Sequence, residues 1–251
     1  MSAPLLQVNE LTLCVGAHTL LQGCAFTLQP GELLGVIGAN GAGKSTLLKA
    51  LAGLLPVSSG TITLQDQPLA SVSGQERARR LAYLEQQPQS CWPLAAERIV
   101  ALGLQPQLTE SATRQRIAQA MAATGCDGLQ ARPFPTLSTG ERLQVHLARV
   151  LAADTPLVLA DEPTAALDLW HQHHLLQTLQ AQCRQGKGMV VAMHELDLAA
   201  RYCSRLLLLH QGRQVACDVP ARVLTPALLA ECYRVRAHID ETGALIYEGQ
   251  L

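Results

Sequence analysis

The chain has 251 residues and a net charge of −1, from 19 Lys and Arg against 20 Asp and Glu. That balance argues against a nucleic-acid footprint built on a strongly basic surface. Hydrophobic residues make up 48% and aromatics 3%, so the length predicts one large α/β domain, or a domain with an inserted subdomain, around an aliphatic core. The 8 Cys include no Cys-x-x-Cys pair, which disfavours zinc ribbons and thioredoxin chemistry and suggests reduced core thiols in a cytosolic protein. Met1-Ser2-Ala3-Pro4 shows no signal-peptide pattern. No apolar run approaches the ~20 residues of a membrane span.

From Leu6 to Leu28 apolar and polar residues alternate, which predicts an antiparallel set of short strands closed by the turn Pro30-Gly31. Leu33-Leu34-Gly35-Val36-Ile37 reads as a buried strand. Gly38-Ala39-Asn40-Gly41-Ala42-Gly43-Lys44-Ser45 follows and fits Gly-x-x-x-x-Gly-Lys-[Ser/Thr]. Thr46, Leu47, Leu48, Leu51 and Leu54 then mark one face of a helix. Strand, glycine loop and helix is the context of a phosphate-binding P-loop. Glycines let backbone N–H groups turn inward around phosphate oxygens, and a helix N-terminus adds positive potential. Lys44 reaches the β- and γ-phosphates in such a loop and the Ser45 hydroxyl holds Mg²⁺. A plain glycine turn is the alternative.

Thr61-Ile62-Thr63-Leu64 and Leu81-Ala82-Tyr83-Leu84 read as further strands. Residues 86–92 are polar and Pro-bearing, a loop. From Glu97 to Thr124 the composition is helical, broken by Gly103, Pro106 and Gly125, with no strand candidate. That stretch reads as a helical subdomain inserted into the α/β core. Leu137-Ser138-Thr139-Gly140-Glu141 opens a helix. Its start is a natural anion site, although Ser138 and Glu141 also spell an ordinary capping box.

Leu157-Val158-Leu159-Ala160-Asp161-Glu162 is an apolar strand ending in two carboxylates. Met189-Val190-Val191-Ala192-Met193 ends in His194. Acid residues at the C-terminal edge of a parallel sheet sit where such sheets bind ligands. Asp161 is the Mg²⁺ candidate and Glu162 the group that polarises an attacking water. A helix is predicted from about Leu169 to Arg184. Leu206–Leu209 with Gln211-Gly212 and Val215 predicts a hairpin, Pro226–Leu229 opens a short helix, and Ile239 with Leu245-Ile246-Tyr247 predicts a last hairpin. His171 and His174 share a helix face, but a solvated polar helix outweighs metal binding there without further ligands.

Taken in order, these stretches resemble the ATPase subunit of ATP-binding-cassette (ABC) transporters over nearly the whole chain. Gly38–Ser45 resembles its Walker A, with Gly38, Ala39, Asn40, Gly41, Ala42, Gly43, Lys44, Ser45 and Thr46 on the ATP. Gln86 resembles the Q-loop glutamine, Leu137–Glu141 the signature motif, Leu157–Glu162 Walker B, Ala165-Ala166-Leu167-Asp168 the D-loop and His194 the switch histidine. The resemblance implies a P-loop (RecA-like) α/β core with an antiparallel β subdomain. Residues 1–86 and 152–225 would form these, 87–151 the helical signature subdomain and 226–251 a C-terminal extension. It implies Glu162, His194, Gln86 and Lys44 as catalytic residues and Ser45, Gln86 and Asp161 around Mg²⁺. It further implies ATP held in a head-to-tail homodimer, with Ser138, Thr139, Gly140 and Glu141 facing the opposite copy's ATP. Transmembrane permease subunits would dock near Gln86–Ala96 on the cytoplasmic face of the membrane, fed by an external binding protein, with no nucleic acid involved.

Leu167-Asp168-Leu169-Trp170-His171-Gln172, Val100–Gly103 and Val223–Pro226 are similar to stretches in ATPases of ferric-siderophore, haem and cobalamin importers. The chain departs from the family pattern at Thr139, Leu143 and Gln144. It also departs at Val15, where an adenine-stacking aromatic is expected and His18 is the nearest ring. A soluble ABC ATPase not tied to transport and a nucleotide-binding module with weak hydrolysis are the alternative readings.

Overall fold

The computed structural model describes residues 3–86, 93–104, 108–240 and 244–250. The strands β1 (Leu6–Val15) and β2 (His18–Leu28) form an antiparallel hairpin. They replace the expected set of short strands with two long ones. The register shifts between Val8 and Leu11, and Glu10 has a φ of 46°. A bulge of this kind breaks the period of two without ending the strand, and it returns Leu11 to the buried face after Val8. β3 (Leu33–Ile37) leads through the glycine loop into α1 (Lys44–Leu51). Leu47, Leu48 and Leu51 are buried, but Leu54 lies beyond the helix and is 57% exposed. The chain has already turned away at Gly53, whose φ is 67°.

Next come β4 (Ser59–Leu64), β5 (Gln67–Pro68), α2 (Gly74–Arg80) and β6 (Leu81–Leu84). The helices α3 (Ala96–Ala101), α4 (Glu110–Ala123) and α5 (Thr139–Ala152) follow. β7 (Leu157–Asp161), α6 (Leu169–Arg184), β8 (Gly188–Ala192), α7 (Leu196–Tyr202), β9 (Arg205–His210) and β10 (Arg213–Asp218) return to the sheet. The chain closes with α8 (Pro220–Val223), α9 (Pro226–Tyr233) and the hairpin β11 (Val235–Ile239) and β12 (Leu245–Gln250).

Among the described residues, one sheet has the order β5-β4-β1-β2-β10-β9-β3-β8-β7-β6. β9, β3, β8, β7 and β6 run parallel to one another. Every residue of β3, β7 and β8 is buried. Strands covered on both faces read as unbroken apolar runs, which is why these three are visible in the sequence. β10 joins the antiparallel part through a single register pair, Arg213 with Gln22. Gln214 reinforces that seam, accepting from the Ala25 N–H and donating to the Ala25 carbonyl at 2.9 Å each.

α5 packs in two directions. Val145, Ala148 and Ala152 belong to a cluster with Ile99, Met121 and Phe134 from the helical stretch. Leu143, Leu147, Val150 and Leu151 join the main core beneath β7 and β8. Each such buried aliphatic side chain contributes about 1.5–3 kcal/mol, so α5 binds the helices firmly to the sheet. Asp154 adds a tie, pairing with Arg116 of α4 and with Lys187 ahead of β8 at 2.8 Å each.

Cys24, Cys126, Cys183, Cys203 and Cys232 are buried as expected, and Cys217 is half-buried. Cys14 is exposed near the β1–β2 tip, because its place in the strand points outward. Cys91 lies outside the described residues. No described helix is long and apolar enough to cross a membrane.

Candidate functional site

Four neighbouring parallel strands, β3, β8, β7 and β6, end on the same edge of the sheet. The residues singled out in the sequence follow them directly: the glycine loop after β3, His194 after β8, Asp161 and Glu162 at the end of β7, and Gln86 after β6. This edge is where open α/β sheets bind ligands.

The loop from Gly38 to Gly43 needs glycine at its entrance. A Cβ on Gly38 would lie 2.3 Å from the Leu209 carbonyl, and its φ is 152°. Asn40 and Gly41 form the exposed tip, and Ala42 closes the loop by donating its N–H to the Ala39 carbonyl at 3.1 Å. Lys44 starts α1 and is 5% exposed. Its Nζ donates to the Gly38 carbonyl at 2.8 Å and the Ala39 carbonyl at 3.4 Å. Burial lowers its pKa, against the opposing pull of Glu162 and Asp161. Ser45 and Thr46 are half-buried in the first turn.

Asp161 is 1% exposed, and its Oδ1 is buried with no hydrogen-bond partner. Burial raises its pKa, while the neighbouring Ser45 hydroxyl opposes that rise. Glu162 is 7% exposed and holds a left-handed backbone with φ 51°. That conformation costs a non-glycine residue roughly 1–2 kcal/mol, and its N–H is anchored on the Ala192 carbonyl at 3.1 Å. Both carboxylate oxygens are engaged. Gln86 Nε2 donates to Oε2 at 2.5 Å, and His194 Nε2 meets Oε1. The other ring nitrogen of His194, Nδ1, stands 3.5 Å from Lys44 Nζ. An ammonium only donates, so Nδ1 accepts and the ring proton sits on Nε2, directed at Glu162.

Sequence reasoning missed the brace behind this turn. Thr164 is 1% exposed. Its hydroxyl donates to Glu195 Oε2 at 3.2 Å and its carbonyl accepts from Gln172 Nε2 at 3.2 Å. It thereby holds the turn after β7 against the residue next to His194. A polar side chain directly following Asp161-Glu162-Pro163 was the available signal.

The stretch 138–141 lies elsewhere. Ser138 caps α5, and the capping box forms in full: Ser138 Oγ accepts from the Glu141 N–H at 3.2 Å and Glu141 Oε2 from the Ser138 N–H at 2.7 Å. Thr139 is exposed at the first helical position. Gly140 faces the Ala166 carbonyl, which a Cβ would approach to 3.0 Å. Ser138, Thr139, Gly140 and Glu141 share an open cleft of about 660 Å³ with Asp168 and His171. Among the described residues no hydrogen bond joins this group to the loop 38–46. Leu143 is buried in the main core, and Gln144 lines the cleft. Asp168 caps α6 through the His171 N–H at 2.9 Å, which explains the predicted start at Leu169.

The three histidines of α6 have separate partners. His171 Nδ1 lies 2.8 Å from Asp168, His173 Nδ1 2.6 Å from the Tyr202 hydroxyl, and His174 stacks on Trp170 with centroids 5.1 Å apart. Among the described residues no group of three or more His, Cys, Asp or Glu is arranged to hold a metal. Val15 and His18 are paired directly across the β1–β2 tip, Val15 being 61% exposed. Of the stretch Gln86–Ala96, residues 87–92 lie outside the described residues.

A family model described as ABC transporter matches residues 21–165. The hemin import ATP-binding protein HmuV of Pseudomonas entomophila is 45% identical over 232 residues, covering 90% of this chain and 91% of the relative. That of Pseudomonas putida is 43% identical over 252 residues, 96% of this chain and 99% of the relative. Among solved structures, an ATP-binding subunit of an ABC transporter matches with a TM-score of 0.80 at 29% identity, covering 87% of this chain and 91% of the other. CbiO1 from Clostridium perfringens, part of the ABC transporter complex CbiONQ, matches with a TM-score of 0.79 at 26% identity over 92% and 94%.

Proposed function

The chain belongs to the ABC transporter family of ATP-binding proteins, and on that footing we propose that it hydrolyses ATP to drive a haem importer. The observation that carries the ATPase reading is the meeting of Gln86, His194 and Glu162 on one carboxylate beside Lys44. The glycine loop and the N–H groups of the first turn of α1 would bind the phosphates, with Lys44 as their cation. Glu162 would accept a hydrogen bond from the attacking water, held in place by Gln86. The Nε2–H of His194 is free to turn to the γ-phosphate once Glu162 takes up the water. In-line attack then releases ADP and phosphate.

Mg²⁺ fits the donors present. The orphaned Oδ1 of Asp161 and the Ser45 hydroxyl are hard oxygen ligands of the kind it takes. Ser45, Asp161 and Gln86 would hold it, and it would neutralise charge on the β- and γ-phosphates.

The separation of Ser138, Thr139, Gly140, Glu141 and Asp168 from their own loop supports a head-to-tail homodimer, in which this cleft closes over the opposite copy's ATP. The names of the relatives favour haem over a ferric siderophore or cobalamin as the cargo. Permease subunits would dock near Gln86–Ala96 on the cytoplasmic side, and an external binding protein would deliver the haem. Phosphate release in proteoliposomes containing a haem permease tests the whole reading. Haem with its binding protein should raise turnover several-fold. Turnover indifferent to both permease and haem would remove the transport role and leave the ATPase standing.

A further inference from the structure

β6 runs beside β7 with Tyr83 level with Leu159. Side chains alternate across a strand, so Tyr83, Leu159 and Asp161 leave the same face of the sheet. Asp161 is the diagonal neighbour of Tyr83, two residues nearer the ligand edge. The Tyr83 ring packs against the aliphatic cluster that includes Leu47, Leu48 and Leu51 of α1. Phenylalanine would serve that packing equally well. The hydroxyl is what needs explaining, because Tyr83 Oη and Asp161 Oδ1 are both buried and both lack a hydrogen-bond partner. A buried polar atom left unpaired costs about 1–3 kcal/mol. Two of them on one face, beside the residues read as holding Mg²⁺, call for a polar occupant. Burial first, and then the charge of Asp161, keep the Tyr83 hydroxyl protonated.

We propose that Tyr83 is a positioning residue of the metal site, its hydroxyl accepting a hydrogen bond from a water in the hydration shell of Mg²⁺. Mg²⁺ dehydrates reluctantly and keeps several waters. With Asp161 Oδ1 on the ion, one such water bound beside it would give a proton to Tyr83 Oη, and this would fix the hydration shell against that face of the sheet. The inference rests on the reading of Ser45 and Asp161 as metal ligands.

Mn²⁺ titrated into the full chain with saturating ADP, followed by electron paramagnetic resonance, tests it without turnover. Tyr83→Phe should weaken Mn²⁺ binding about fivefold, the loss of one ordinary hydrogen bond. Its affinity for ADP in EDTA and its melting temperature should match wild type. Asp161→Asn should abolish the tight Mn²⁺ signal. Wild-type Mn²⁺ affinity in Tyr83→Phe, with the signal lost in Asp161→Asn, would reduce Tyr83 to packing. An equal loss of metal-free ADP binding in Tyr83→Phe would do the same. A signal retained in Asp161→Asn would overturn the metal-site reading itself, and this inference with it.

Discussion

His194 Nε2 is hydrogen-bonded to Glu162 Oε1 while its Nδ1 faces Lys44 Nζ at 3.5 Å. The imidazole thus bridges the cation expected on the phosphates and the carboxylate expected on the water. It can act on both only if its neutral tautomer keeps the proton on Nε2. His194→Ala removes the bridge and leaves the loop intact. Steady-state phosphate release should fall about 10²–10⁴-fold, the usual worth of such a group. ATP affinity by calorimetry should stay within about threefold, since every donor of the phosphate loop remains.

Much of this site is legible in the sequence because its parts are local. The loop 38–45 carries its own glycines, and β3, β7 and β8 announce themselves as apolar runs ending in Gly38, Asp161 and His194. The N-cap Asp168 fixes where α6 begins. The parts that were not legible depend on contacts across the fold. That Gln86 and His194 share Glu162 requires β6, β7 and β8 to be adjacent, which no spacing reveals. The left-handed backbone of Glu162 and the brace from Thr164 to Glu195 are likewise products of packing. The length of β1 and β2 was hidden by a bulge at Glu10, which breaks the alternation on which strand recognition depends.

Val15 and His18 face one another at the exposed tip of the β1–β2 hairpin. Valine offers apolar contact but no π-face to a base. Base–aromatic stacking is worth about 1–3 kcal/mol. Val15→Tyr should therefore tighten ATP binding about tenfold and sharpen what should be a weak native preference over GTP. Parallel calorimetry with both nucleotides, on Val15→Tyr and on His18→Ala, checks it. A strong native ATP preference surviving His18→Ala means that another group holds the base.

Thr139 presents its side chain at the mouth of the cleft shared by Ser138, Gly140 and Asp168. Its Cβ would hold the γ-phosphate bound on an opposite copy away from the local backbone, which glycine would let approach closely. Thr139→Gly should strengthen ATP-dependent dimerisation several-fold, read by light scattering on a Glu162→Gln background. Identical dimerisation with Thr139 and Gly at this position counts against the cleft's role in closure. The loss of capping-box rigidity is the cost, since glycine is less favourable than threonine inside a helix by a few tenths of a kcal/mol.

His146 is 5% exposed, and both ring nitrogens are buried without partners. It lies edge-on to Phe134 with centroids 4.9 Å apart. Burial, helped by the charge of Arg149, pushes its pKa down to about 4. In the unfolded chain it titrates near 6.5. At pH 7 both states are neutral and the shift contributes nothing. Between about 6.5 and 4 the unfolded state takes up a proton that the native state refuses, so stability falls as pH falls. At pH 5 the loss from this residue is about 2 kcal/mol. His146→Leu should remove it. Urea unfolding at pH 7 and pH 5 should show a smaller drop in the variant, and equal drops would refute the assignment.

In the proposed mechanism Glu162 activates the water in an ATP site otherwise complete without it. Glu162→Gln preserves size and keeps one acceptor oxygen for Gln86 or His194, but its NH2 group cannot accept from the other, and the charged acceptor is lost. A single-turnover assay with radiolabelled ATP, wild type against Glu162→Gln, measures that role directly. ATP binding should be unchanged, phosphate release slowed at least about 10²-fold, and unhydrolysed ATP recovered in a stable dimer. Release at the wild-type rate, with ADP recovered from the variant, would contradict it.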